Sequence, residues 1–151
     1  MTGKGTEDPP LTPVEGAEAD ALPREVFVRF QSLYMGDGSR GNYRVKLLDD
    51  GRVFVQENKR ADLFAPERYD APYPETPTRT LDAATMKRLR AQVESRGFFA
   101  MSPGYRGVMD GGSMQILEIR LAGKQHRVIV DRVHHAEFEA LRDDILRAVY
   151  Q

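Results

Sequence analysis

Three histidines, His126, His134 and His135, together with Asp131, are the side chains of this chain whose types invite metal or acid–base chemistry. Imidazole and carboxylate ligate several divalent ions, and imidazole titrates near neutrality. Their spacing argues against a shared site. Adjacent residues at a helix entrance diverge by ~100°, which parts His134 from His135, and His126 falls on a strand. They read as a strand-edge histidine and helix-entry residues. Asp110, near Tyr105 and followed by two glycines, is the carboxylate with the best company for general acid–base work. An Asp-Gly-Gly segment leading into a strand is first of all turn chemistry, however. The glycine-rich stretch 36–41 lacks the Gly-Lys-Ser/Thr ending of a phosphate loop and enters a strand instead of a helix. With no cysteine, disulfides, thiolate chemistry and Cys-based zinc sites are excluded. The expectation is a chain with no catalytic residue, no metal and no cofactor.

Recognition is the better use of the residues that remain. The connection 61–79 is longer than the ~12–15 residues usual for a structureless loop. It places Phe64, Tyr69 and Tyr73 among Pro66, Pro72, Pro74 and Pro77. Proline lowers the ordering cost of an extended segment, and aromatic rings supply contact area at little rotamer entropy. Arg40 and Asn42, in loop 36–42, complete the expected partner-binding set. The competing structural reading packs the aromatic connection onto its own domain, over a sheet edge. The leading functional expectation is a non-enzymatic protein-binding module, an inhibitor or immunity-type factor. The alternative is a small-ligand binder or enzyme centred on Tyr105, Asp110 and His134, and a third reading is a nucleic-acid-binding accessory domain.

The elements that must position these residues follow from periodicity. Segment 25–34 alternates at period two, and segments 43–48 and 52–56 flank Asp49-Asp50-Gly51. A three-residue turn with Gly51 in the left-handed position puts Tyr43, Val45, Leu47, Val53 and Val55 on one face, which a two-residue turn would not. A helix over 82–96 takes Asp82 as N-cap, a Leu81 to Met86 staple, a Met86, Leu89, Val93 stripe and Gly97 as its stop. A second hairpin sets Leu117, Ile119 and Leu121 against Val128 and Val130, with a turn at Ala122-Gly123 of two residues or four. A second helix is entered at His134, with Val133 stapled to Phe138 and Glu137 at N3, and buries Phe138, Leu141, Ile145 and Val149. The order β-β-β-α-β-β-α specifies an α+β two-layer sandwich, about five antiparallel strands with both helices on one face. Counting reversals places loop 36–42, connection 58–79 and the 122–123 turn at one end. Loop 98–112 and turn 49–51 then lie at the other.

Charge divides the chain. Residues 1–22 carry one lysine against five carboxylates (1 − 5 = −4), leaving 21 − 18 = +3 for the remainder. With four prolines before Arg24 and few large apolar groups, 1–22 reads as a disordered acidic arm ahead of one domain at 23–151. A net of +3 is too little for a phosphate-binding face, which argues against nucleic acid. No stretch approaches the ~18 apolar residues of a membrane span or a signal-peptide core, so no membrane partner and a cytoplasmic location are expected.

The stretch GFFAMSPGYRGVMDGGSMQILEIRLAGKQHRVIV, after NYRVKLLDDGRVFV, resembles small bacterial domains of unknown function that share a Phe-Phe-x-x-x-x-x-Tyr loop, an Asp and a strand pair. Where some of them carry a Cys-x-Gly-x-Cys-Pro element, this chain has GDGSRGNY, which removes redox chemistry. TRTLDAATMKRLRAQVESRGFFAM, followed by an Asp and a strand pair, is similar to the helix-then-hairpin half of the emfourin domain, a family of protein inhibitors of thermolysin-like metalloproteases. That resemblance implies inhibition of a protein partner.

Overall fold

The computed structural model describes residues 22–34, 42–58, 73–108 and 113–151. In chain order these form β1 (Val26–Tyr34), β2 (Asn42–Leu48), β3 (Arg52–Asn58), β4 (Arg79–Thr80), α1 (Ala83–Ser95), a 3₁₀ turn (Phe98–Ala100), β5 (Gly104–Arg106), β6 (Ser113–Leu121), β7 (Lys124–Asp131) and α2 (Ala136–Tyr150). The strands make one sheet in the order β4-β3-β2-β1-β6-β7-β5. Every pairing is antiparallel except β5 with β7. The α+β expectation therefore holds, while five antiparallel strands become seven in a mixed sheet. The two extra strands are edge pieces of two and three residues, too short to print a period-two pattern.

Both hairpin turns follow from backbone chemistry. Gly51 adopts φ +97° and donates to the Leu48 carbonyl, so Leu47 faces Val53 and Val45 faces Val55, the register of the three-residue turn. Ala122 and Gly123 both have positive φ, 52° and 77°, and Leu121 pairs with Lys124. This is a two-residue turn whose twist suits the strands it joins. In β1 the register slips between Val26 and Val28, a bulge that turns both Phe27 and Val28 toward the helices and leaves Val26 on the other face.

The main core lies between the sheet and the two helices. Val28, Phe30, Val45, Leu47, Leu117, Ile119, Val128 and Val130 face Met86, Leu89 and Val93 of α1 and Phe138, Leu141 and Ile145 of α2. Asp82 caps α1 by accepting from the Thr85 amide, Leu81 and Met86 are both buried, and Gly97 stops the helix at φ +71°. The second entrance differs by one residue. His135, not His134, is the N-cap, its Nδ1 accepting from the Phe138 amide at 3.1 Å, and Glu139 rather than Glu137 reaches back to the His135 amide. Either histidine satisfies the pattern; the reach of the Glu139 carboxylate to both decides it.

The assignment of loops to ends is corrected. Val28 pairs with Ile119 and Tyr34 with Ser113, so turns 49–51 and 122–123 share the end where β1 begins. The cause is the two short strands: β4 returns the chain to that end, where the Leu81 amide donates to the Gly51 carbonyl, and β5, parallel to β7, carries it back before β6 begins. From there α1 crosses the strands, Arg90 donating to the Asp49 carbonyl and Glu94 facing Lys124. From the end of β7, α2 crosses back toward β4, where Arg79 donates to the Val149 carbonyl.

Gly51 is thus pinned twice, by its left-handed backbone and by a neighbour: a Cβ there would stand 2.4 Å from the Leu81 carbonyl oxygen. Gly51→Ala is expected to cost about 1–3 kcal/mol or more, read as a fall in urea midpoint. Gly123→Ala, where a Cβ meets nothing within 4 Å, is expected to cost less.

Candidate functional site

Two surfaces hold polar chemistry that the core does not consume. The first is a cleft of about 220 Å³ at the entrance to α2, lined by Ser113, Gln115, Val130, Val133, His134, Glu139 and Arg142. It forms where β6 begins and β7 ends, because the α2 cap lifts His134 and Glu139 above the strand ends. His134 Nδ1 lies 3.1 Å from Glu139, and Arg142 donates to the Gln115 side-chain oxygen at 3.0 Å. Gln115 in turn contacts the Ser32 hydroxyl at 3.4 Å. Burial raises Glu139's carboxyl, but the hydrogen bonds from His134 and the His135 amide, with Arg142 nearby, outweigh it and leave the group below the usual range. Burial pushes the Tyr43 phenol up, against Arg142 and a hydrogen bond with Ser32.

The second surface is the sheet face away from the helices. Glu118, 3% exposed, sits between Arg29 on β1 and Arg127 on β7, at 2.9 and 3.1 Å. Arg29 is Glu118's partner across β1 and β6, and Arg127 its partner across β6 and β7, so period-two alternation puts all three on one face. Beside them the Arg44 guanidinium and the Lys46 ammonium stack on the Tyr73 ring, at 4.3 and 4.5 Å from its centroid. Two apolar clusters flank the charges: Leu22, Val26, Leu48 and Phe54 with Tyr73 on one side, Leu33, Met114, Ile116 and Ile129 on the other. Burial first, then the positive Arg29, Arg44 and Arg52, lower Lys46's ammonium below the usual lysine range, against an opposing Glu25.

Of the expected partner-binding residues, Arg40, Phe64 and Tyr69 lie outside the described residues, as does the side chain of Asn42, whose backbone opens β2. Tyr73 is placed, and not at a strand-end rim: it is half-buried against Leu48 and Phe54 on the helix-free face. Of the rival set, Asp110 lies outside the described residues, and Tyr105 and His134 do not share a site. The Tyr105 hydroxyl accepts from the Ser102 amide at 2.9 Å and its ring packs on His135, while His134 turns to Glu139. His126 Nε2 lies 2.8 Å from the Met101 carbonyl, which places the proton on that nitrogen, and its ring meets Phe98 edge-on. Asp131 is clamped by Arg132 and Arg106 at 3.0 and 3.5 Å. Among the described residues no group of three or more His, Cys, Asp or Glu side chains could hold a metal ion. Sequence reasoning missed Gln115, Glu139 and Arg142, and also the Arg29, Glu118, Arg127 trio. For the trio a signal existed, since charged residues inside otherwise apolar strands at matching parity are candidates for a paired charge ladder.

No protein-family model matches the chain, and no curated protein is found to be similar to it.

Because Glu139's folded value is depressed, its capping contribution is present above the ordinary glutamate range, near pH ~4.3, and is lost as pH falls through the lowered value. Glu139→Gln is therefore expected to lower Tm at neutral pH, and the gap from the unsubstituted chain to close on acidification. A Tm difference that stays constant down to pH 3 would contradict the assignment.

Proposed function

We propose that this protein is a non-catalytic protein-binding module of inhibitor or immunity type, whose recognition surface is the helix-free sheet face and the connections that border it, including Phe64, Tyr69 and Tyr73. The observation that carries the reading is the composition of that face. Among the described residues Arg29, Arg44, Lys46, Arg120 and Arg127 gather around the buried Glu118 between two apolar clusters, while the other buried carboxylate of this face, Asp131, is held by Arg106 and Arg132. Arginine, aromatic rings and apolar anchors close together are what a protein interface concentrates at its centre, and the sign of the charge favours an acidic partner segment. Tyr73 serves both the fold and recognition, so its removal disturbs packing as well as contact.

Lys46→Glu tests the reading without harming the fold, because the new carboxylate lies among Arg29, Arg44 and Arg52. In capture from the native host's lysate, Lys46→Glu is expected to lose a partner that the unsubstituted chain retains at low salt and sheds at high salt, with Tm unchanged. Equal capture by both chains, or none by either, sinks the proposal.

A second reading is favoured by the cleft at α2, whose Gln115, His134, Glu139 and Arg142 could hold a small polar ligand such as a carboxylate. A ligand that binds there should raise Tm of the unsubstituted chain and fail to raise that of Arg142→Ala. No shift across a panel of small carboxylates and phosphates would remove it.

A further inference from the structure

We propose that the acidic N-terminal arm, residues 1–21, folds back across the helix-free sheet face and lays its carboxylates against the cations there. Leu33 is 0%, Gln31 2% and Met114 2% exposed, yet both helices pack on the opposite face, and bare sheet does not exclude water from side chains on its central strands.

Three observations select the arm. The first is continuity: Leu22, the residue that follows it, is 2% exposed against Val26, Leu48 and Phe54, and its carbonyl accepts from Arg120, so the arm leaves the fold on this very face. The second is charge: the arm is acidic, −4 (1 − 5, through residue 22), and faces the cluster of Arg29, Arg44, Lys46, Arg120 and Arg127 around Glu118. The third is reach. From Leu22 back to Leu11 is an extended span of up to ~36 Å. The path along β1 from Val26 to Leu33 is roughly 23 Å, so Leu11 and Val14 can reach the apolar cluster of Leu33, Met114, Ile116 and Ile129. Carboxylates beside cations already crowded by one another are stabilised more than on an open surface. The electroneutral connection 59–72, with Lys59, Arg60 and Arg68 against Asp62, Glu67 and Asp70, offers apolar contact without that complementarity.

Docking does not depend on the binding proposal above. Only its consequence does, that an acidic partner must displace the arm and that the arm sets the threshold for binding.

The chain lacks cysteine, so Thr12→Cys carries a single nitroxide label in the full chain. At low salt the label is expected to broaden the methyl signals of Leu33, Ile116 and Ile129 several-fold more than those of Leu89 and Leu141 beneath the helices. Raising salt to ~0.5 M, where screening acts within a few ångströms, or replacing Glu15, Glu18 and Asp20 by Gln, Gln and Asn, should abolish the difference. Absence of broadening, or broadening confined to the helix side, overturns the proposal. If broadening is absent while capture stays sensitive to Lys46→Glu, the arm is excluded and the binding reading stands. Broadening together with capture insensitive to Lys46→Glu gives the reverse.

Discussion

Strand β1 must be buried on both faces, and the rest of the molecule is arranged around that constraint. It lies between the two hairpins, paired with β2 on one side and β6 on the other. One row of its side chains, Val28 and Phe30, meets the helices. The other row begins at Val26, ends at Leu33 and carries Arg29 and Gln31 between them. Burying a charge is costly unless it is paired, and Arg29 is paired with Glu118, which also holds Arg127. A single carboxylate thereby joins three adjacent strands. The bulge at Phe27 belongs to the same solution, since it gives the helices one more ring while Val26 remains with Leu48 and Phe54 behind the sheet.

What could be read from the residues was what local chemistry determines. Gly51 chose its turn because only one turn length kept five apolar side chains on one face. Asp82 and Gly97 bounded α1 because a capping carboxylate and a left-handed stop are local requirements. The illegible parts depend on partners distant in the chain. β4 is two residues opposite Arg52 and Val53, β5 three residues opposite Ile129 to Asp131, and neither is long enough to carry a period. Because neither strand shows in the pattern, and α1 crosses the strands instead of running between the two ends, counting reversals puts the 122–123 turn at the wrong end. At α2, His134 and His135 offered equivalent caps, and the outcome rests on a carboxylate four residues beyond His135.

The polar residues with unusual settings were missed for a related reason. Glu118 looks like the solvent-facing member of an alternating strand, which is what a half-exposed sheet would have. Glu118 is instead a buried charge with two guanidinium partners. Gln115 and Arg142 are far apart in the chain and meet because α2 crosses the strand ends. Conversely, the three histidines that attracted attention are absorbed locally, one by a carbonyl, one by a helix amide and one by Glu139.

The two polar surfaces differ in what they can discriminate. The cleft is small, and its groups already satisfy one another, so a ligand entering it must replace bonds that Gln115, Glu139 and Arg142 now make and gains the difference alone. The helix-free face is cationic at its centre, and Arg29, Arg44 and Lys46 raise one another's electrostatic energy. An acidic segment laid across them removes that repulsion as well as adding attraction, and apolar side chains at either end fix its register. Since such a gain is open to any chain of suitable charge, selectivity then has to come from the apolar clusters and from whatever segment holds the face in the absence of a partner. A tethered segment has an effective concentration far above that of a free one. Hence only a partner that fills both clusters better than a tethered segment does would displace it, and acidic character by itself would not suffice.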